Sequence, residues 1–425
     1  MEGEGKRAPK AIVVGGSIAG LSCAHALIGA GWDVTVLEKT MSAPTGSPSG
    51  AGLSLEPQAI EVVNRWLGDP SILRDIAFGV AAVVHQTYDK EKKAIQTLRR
   101  DSFDDFISHR SVHWTDLHSV IRRALPSDVV LWGHKFLSLR TSDGGLGSVR
   151  VEAKNLRTDE TVEFEGDLLV AADGSMSAIR QHFLPDHKMR YSGYSAWRGV
   201  FDYSDAEKVD AVTGIRRAYP ELGNCLYFDY AEGNHCVFFQ INSNRLNWLW
   251  YFNTPESGRE GTSVTKKVDE EMIREMHEEA RRIWNPELAE LMKKTKAPFI
   301  NLIYDSDPLP RLFWDNVVLV GDAAHPTTPH ASKSTNMSIL DAEVLGLCVK
   351  KWGAGDLPKA LAEYQAVRHP VVSSIVLQAR ELGRFKQGLP VADGKTFRPN
   401  EATSNECDRL PLGTVPSHEP VTVAD

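Results

Sequence analysis

The stretch that most constrains this chain is KAIVVGGSIAGLSCAHALIGAGWDVTVLEKT, which begins at Lys10. Ile12 to Val14 is a continuous apolar run, as a parallel strand covered on both faces requires. Glycines interrupt it, a helical pattern follows, and a second apolar run from Val34 to Leu37 ends at Glu38. Strand, glycine turn, helix and strand within about 30 residues make one βαβ unit. A strand that opens through glycine into a helix presents unpaired N–H groups and the positive end of the helix dipole to an anion, typically a pyrophosphate. The turn reads Gly15-Gly16-Ser17-Ile18-Ala19-Gly20. Gly15 and Gly20 fit GxGxxG, while Ser17 stands where the middle glycine normally lets backbone approach phosphate; its hydroxyl adds a donor there. Glu38 lies 23 residues after Gly15. A carboxylate at that strand end accepts both ribose hydroxyls of an adenosine and repels a 2′-phosphate, which favours FAD or NAD over NADP at this turn.

Composition narrows the class. The chain has 425 residues, 42% hydrophobic and 24% charged, enough to bury a large core. At roughly 150 residues per domain, two or three domains are allowed. Lys plus Arg is 48 against 56 Asp plus Glu, a net charge of −8 with no basic run, so no nucleic-acid partner is expected. Cys23, Cys225, Cys236, Cys348 and Cys407 form no CxxC pair and have no histidines at zinc spacing. No metal site is expected, and a reducing, cytoplasmic setting is the economical reading. The charged start carries no apolar signal core, no run approaches ~18 apolar residues, and the ending VTVAD matches no lipidation or retention tail. Neither a targeting nor a transmembrane segment is expected; a homodimer is left open.

Further along, a Gly/Pro/Ser loop over 43–55 leads to a helix over Gln58 to Trp66, and Trp114, Leu117, Ile121 and Leu125 form one face of another. The run DLLVAADGSMSAIR turns at Asp173-Gly174 into a helix. From about 191 to 255 the period changes to two: CLYFDYAEGNHCVFFQI and LNWLWYFN read as an antiparallel sheet with an aromatic face. A charged helical stretch over 265–295 follows, and VVLVGDAAHPTTP returns to the parallel-strand pattern. Helices over Ser338 to Lys351 and Leu357 to Lys386 come next, and beyond 388 periodicity is lost, which reads as a tail or surface loop.

The glycine turn, DLLVAADGSMSAIR and VVLVGDAAHPTTPHASKSTNMSILDA together resemble the single-component FAD-dependent aromatic hydroxylases of the para-hydroxybenzoate hydroxylase type. GGSxxG, the Pro-His dipeptide and WLWYF look most like the 2,6-dihydroxypyridine hydroxylase-like branch. The resemblance spans nearly the whole chain up to about residue 386. It implies an α/β fold, a doubly wound Rossmann-like FAD domain with an inserted antiparallel β-sheet substrate domain. Residues 1–190 and 300–386 would form the FAD domain, with strands near 78–110 free to join the substrate sheet, 191–299 the substrate domain and 387–425 a tail. The implied cofactor-binding residues are Gly15, Ser17, Ile18, Ala19, Gly20, Glu38, Lys39, Gly52, Arg110, Asp173, Gly174, Asp322, Ser334, Thr335 and Asn336. Glu38 would hold the ribose, Arg110 the flavin or its pyrophosphate, Asp173-Gly174 the FAD site and NAD(P)H use, and Asp322 the ribityl chain. Ser334, Thr335 and Asn336 would start a helix aimed at the pyrimidine end of the flavin. One departure stands out: where the family pattern is glycine-rich after Pro329, this chain reads His330-Ala331-Ser332-Lys333-Ser334.

The activity so implied is NAD(P)H- and FAD-dependent hydroxylation of a small electron-rich aromatic or N-heteroaromatic substrate. NADPH or NADH reduces FAD, dioxygen adds at the flavin C4a position, and the hydroperoxide passes its distal oxygen to the ring. A ring hydroxyl reacts best ionised, so His330 and the carbonyl of Pro329 are the candidate catalytic groups, with His325 and His235 behind them. Tyr227, Tyr230, Phe239, Trp248 and Trp250 are candidate walls for the substrate ring. Arg198 points either to solvent or to an acidic substrate. A flavin reductase or dehydrogenase on the same scaffold, or a non-catalytic FAD-binding protein, also fits the sequence.

Overall fold

A computed structural model of the protein describes residues 7–44, 52–88, 95–102, 109–141, 147–204, 209–256 and 264–410. The charged start, most of the Gly/Pro/Ser loop and the end of the expected tail lie outside these residues. Among the described residues, six strands form one sheet in the order Phe313–Trp314, Val317–Leu319, Leu168–Ala171, Lys10–Val14, Asp33–Glu38, Val130–Trp132. Neighbours run parallel except at the Phe313–Trp314 edge. Lys10–Val14 sits inside the sheet with Ala11 to Val14 buried, and a strand covered on both faces shows no alternation in its sequence. Helix Ile18–Gly29 packs so closely on helix Ser334–Trp352 that a Cβ on Gly346 would stand 2.8 Å from Ala26 Cβ.

A second sheet has eight strands in the order Thr265–Lys266, Phe299–Asp305, Arg190–Asp202, Arg245–Asn253, Asn234–Asn242, Cys225–Ala231, Ala82–Tyr88, Ile95–Ser102. It is antiparallel except where Cys225–Ala231 lies parallel to Ala82–Tyr88. Phe299–Asp305 belongs here rather than to the parallel sheet, so a boundary at residue 300 falls too early. The alternation of each strand separates two cores. Trp248, Trp250, Tyr227 and Phe238 pack beneath helices Val209–Ala218, Glu270–Ile283 and Pro286–Lys294, whereas Phe228, Tyr230, Phe239 and Tyr251 face the other way. The helical stretch expected over 265–295 is split because Pro286 begins a new helix whose first turn Asn285 caps, its side chain accepting from the Leu288 N–H at 2.8 Å.

After helix Leu357–Lys386 the described residues, up to Leu410, pack on the fold rather than forming a free tail. Val391, Phe397 and Leu410 are buried in the same core as Phe228 and Tyr230, and Thr403 with Glu406 forms a reciprocal capping box. These anchors are too few and too irregularly spaced to give a periodic signal. Among the described residues no helix is long and apolar enough to cross a membrane, and the five cysteines are free and buried.

A buried ion cluster ties the parallel sheet to the helices. Asp341, on helix Ser334–Trp352, accepts from the Gly321 N–H at 2.9 Å, pairs with His325 Nε2 at 2.6 Å and with Arg368 Nε at 2.8 Å. Burial opposes ionisation of Asp341, yet His325 and Arg368 pull its carboxyl down to about 2. A carboxyl depressed in this way stabilises the fold above the ordinary carboxylate range, and that contribution is lost as pH falls toward 2. Asp341→Asn leaves Arg368 buried and unpaired, which should lower the unfolding free energy by about 3–5 kcal/mol near neutrality. Urea titrations should show the gap to the wild type narrowing below about pH 4.

Candidate active site

The glycine turn builds one end of the site. Gly15 has φ +108°, and a Cβ there would meet Ala172 O at 2.2 Å; at Gly20 it would meet Gly15 O at 1.8 Å. Both positions therefore require glycine, and the tight turn aims the start of helix Ile18–Gly29 outward. Ser17 is exposed at the N-cap without a side-chain capping bond, so the first-turn N–H groups are free of a side-chain acceptor. Gly16, which the spacing argument passes over, matters as much. Its N–H donates to Glu38 Oε2 at 2.7 Å, and a Cβ at 16 would stand 2.9 Å from Glu38 Cβ. Thr40 N–H donates to Glu38 Oε1 at 2.8 Å. Each carboxylate oxygen keeps a second lone pair for a hydroxyl. His118 bonds the Gly16 carbonyl at 2.8 Å, while Lys39 is exposed beyond the strand end.

The second and third motifs meet at this turn. Gly321, with φ +56°, is wedged so that a Cβ would lie 2.9 Å from both Ala19 Cβ and Ser338 Oγ. Ala19 is thereby the packing contact between the glycine-turn helix and the Asp322 turn. Asp322 Oδ1 accepts from Ser334 Oγ at 2.7 Å. Asp173 Oδ2 accepts from the Ala178 and Ile179 N–H groups at 2.8 and 3.2 Å, so it caps the helix Ala178–Phe183; burial pushes its carboxyl up, against those bonds. Gly174, φ +85°, completes that turn. Arg180, which the sequence did not single out, joins the two turns: its guanidinium donates to the Ala323 carbonyl at 2.9 Å, the Asp322 carbonyl at 3.2 Å and the Ser175 carbonyl.

Arg110 and Gly52 come together in a small antiparallel sheet, Gly52–Leu55 with Arg110–His113 and Ala77–Gly79. Arg110 Nη1 donates to the Ala77 carbonyl at 3.0 Å, and the Gly52 N–H donates to Asn247 Oδ1 at 2.7 Å. Asn336 clamps the same sheet to the helix Ser334–Trp352: it accepts from the Glu56 N–H at 2.9 Å and donates to the Ser54 and Ser332 carbonyls, both at 2.9 Å. Its side chain is spent on these bonds, so it holds the helix start in place and leaves Ser334 and Thr335 to face the cavity. Lys333 pairs with Glu56. Ala331 and Ser332 have φ of +74° and +56°, so this loop adopts the left-handed backbone of a glycine-rich loop although it contains no glycine. The helix that follows has no side-chain cap.

Between this loop and the eight-stranded sheet lies a cavity of about 300 Å³. Phe228, Phe239 and Tyr251 contribute aromatic lining, Pro329 and His330 line it from the loop, with His330 against Tyr251 at 4.7 Å between ring centroids, and Gly52, Asp322 and Thr335 line it as well. Arg198 lines it and lies against Tyr251, whose hydroxyl burial pushes up to about 12 despite that neighbour. Of the five aromatics expected as walls, only Phe239 lines the cavity. Trp248 is on the far face, its Nε1–H donating to Thr295 Oγ1 at 2.9 Å, and Trp250 donates there to Asn234 at 2.8 Å. Tyr227 shares that far face. Tyr230 is on the cavity's side of the sheet but beyond it, bonded to His85 at 2.9 Å and covered by Phe397. His325 is taken up by Asp341, and His235 by Gln387 at 2.5 Å.

The FAD binding domain family model matches residues 122–379. The chain belongs to this family, among flavoprotein monooxygenases. This flavoprotein is 28% identical to the aurachin C monooxygenase/isomerase of Stigmatella aurantiaca, over 88% of its own chain and 89% of that relative. It is 26% identical to the 6-hydroxynicotinate 3-monooxygenase of Pseudomonas fluorescens, over 87% and 90% of the two chains. Its fold superposes on the 2,6-dihydroxypyridine-3-hydroxylase of Arthrobacter nicotinovorans with a TM-score of 0.76 at 20% identity, covering 93% and 95%. The uncapped helix start, the turn closed to any Cβ and the Glu38 carboxylate fit the flavoprotein's dinucleotide. Asp322→Ala removes a carboxylate that accepts from Ser334 Oγ, so flavin retained through gel filtration should fall below about half of wild type with far-UV circular dichroism unchanged.

Proposed function

We propose that this protein is an NAD(P)H- and FAD-dependent monooxygenase that hydroxylates a small electron-rich aromatic or N-heteroaromatic ring. The observation that carries the reading is the cavity itself: an aromatic-walled chamber whose lining includes Asp322 and Thr335, with Gly321 beside Asp322 packed on Ala19 of the glycine-turn helix. Bound FAD, once reduced by the nicotinamide, supplies the activation of dioxygen; the chain's residues hold and orient both partners. The ribose would rest on Glu38, the pyrophosphate on the N–H groups after Ser17 with Arg110 nearby, and the ribityl chain on Asp322. The free N-terminus of helix Ser334–Trp352 would favour negative charge on the flavin's pyrimidine end. In this reading the parallel sheet and its helices form the FAD domain and the eight-stranded sheet the substrate domain.

Phe228, Phe239 and Tyr251 would hold the ring flat and keep water out, and Arg198 would meet an acidic or polar ring substituent with its guanidinium. His330 has a narrower part than that of a free-standing base. Burial holds its imidazole far below the ordinary histidine range, so it stays neutral and takes part as a hydrogen-bonding group at the cavity edge. Two outcomes check these roles. With labelled dioxygen and a panel of phenols and hydroxylated N-heterocycles, one labelled oxygen should enter the product per nicotinamide oxidised; nicotinamide oxidation without label in any product returns the protein to the reductase reading. His330→Gln should reduce turnover by about tenfold or more without moving the pH midpoints of kcat/KM between about 5 and 8, because a neutral imidazole contributes no ionisation there.

A further inference from the structure

Behind the cavity's inner wall lies a charged side chain that nothing so far uses. Lys386, near the end of helix Leu357–Lys386, is 1% exposed, and its Nζ has no hydrogen-bond partner. The ammonium lies 3.9 Å from the centroid of the Phe228 ring, whose other surroundings include the cavity. Three imidazoles surround the same spot. His330 and His235 have ring centroids 5.1 Å apart, and His85 stacks on Phe228 at 4.8 Å. The Nε2 atoms of all three are buried without partners. The helix face itself places this cluster. Gly383 packs against His330, Lys386 stands over Phe228, and Gln387 bonds His235, the spacing i, i+3, i+4 of one helical stripe.

A buried ammonium needs an opposite charge, and among the described residues none faces Lys386. Each element around it can be followed. Strand Ala82–Tyr88 contributes His85, with Arg99 beyond it already engaged by Asp101 and Asp408. Strand Cys225–Ala231 contributes Tyr230, while Asp229 turns to the other face and binds Gln86, Tyr88 and Tyr219. His235, Tyr251, Arg198 and His330 complete the surroundings. All are neutral or cationic. We propose that the missing charge is carried by the substrate: the cavity takes a planar ring bearing an anionic oxygen, which Arg198 meets at the wall and Lys386 neutralises from behind Phe228 and His330. Lys386 is then a positioning residue that makes the cavity selective for acidic rings. This rests on the reading of the cavity as the ring site.

The proposal has a signature that packing alone would not give. Burial brings the Lys386 ammonium down to about 7, so a share of it is neutral in the free protein at neutral pH. An anion bound nearby favours the protonated form, and binding must therefore take up part of one proton. Flavin-loaded protein would be titrated with benzoate against benzamide and with 4-nitrophenolate against 4-nitroanisole, following the flavin absorbance. The first pair tests a carboxylate and the second a ring oxyanion. At least one anion should bind about tenfold or more tighter than its neutral partner, and calorimetry at about pH 7.5 in buffers of different ionisation enthalpy should show the uptake. Lys386→Met should abolish the uptake and reduce the preference to the share that Arg198 supplies; Lys386→Arg, charged at every pH, should keep the preference and lose the uptake. Equal binding of neutral and anionic rings, or anion binding without proton uptake in the wild type, overturns the proposal and leaves the ring site standing. That calorimetry decides even where a variant does not fold. No response to any of the four rings overturns the ring site together with the proposal.

Discussion

The site depends on one fully buried carboxylate. Asp341 holds the Gly321 N–H at the end of a parallel strand, His325 in the loop that follows, and Arg368 on the long helix Leu357–Lys386. Gly321 positions Asp322; the chain after His325 runs to Pro329 and His330; the helix of Arg368 carries Lys386. A single buried carboxylate, satisfied by an arginine, a histidine and a backbone donor, thus sets the relative placement of the turn facing the glycine loop, the cavity edge and the basic cluster behind it.

Much of this was legible in the sequence, and the reasons differ from residue to residue. The βαβ unit declared itself because glycine is required at Gly15 and Gly20 by backbone contacts that no side chain could relieve, and such requirements survive as letters. The period of two in LNWLWYFN announced a strand, but alternation says only that neighbouring residues point to opposite faces. Which face meets the cavity is decided by the helices Glu270–Ile283 and Pro286–Lys294, which cover the side of Trp248 and Trp250. The large tryptophans therefore became core, and Phe228 and Tyr251 became wall. Arg180 and Lys386 carried no local signal at all, since their importance comes from partners 142 to 143 positions away in the first case and from an absence of partners in the second.

The loop His330 to Ser334 illustrates the limit of reading a motif by its letters. Its letters depart from the glycine-rich pattern of the family, yet Ala331 and Ser332 adopt left-handed backbone of the glycine kind. Asn336 and the Lys333–Glu56 pair hold them there by tying the C-terminal side of the loop to Ser54 in the strand Gly52–Leu55 and to Glu56 just after it. Surrounding contacts can impose a conformation that composition disfavours, at a cost of about 1 kcal/mol or more for each residue.

The eight-stranded sheet draws its strands from 82–102, 190–253 and 299–305, and its one parallel pairing joins Ala82–Tyr88 to a strand more than a hundred residues later. High contact order of this kind slows folding and postpones closure of the cavity until most of the chain has left the ribosome. During synthesis the strand Ala82–Tyr88 can pair with Ile95–Ser102, but its other edge must wait for Cys225–Ala231. The two sheets therefore do not correspond to two continuous stretches of chain, and a circular permutation would have to open the chain in a surface turn rather than between the two sheets.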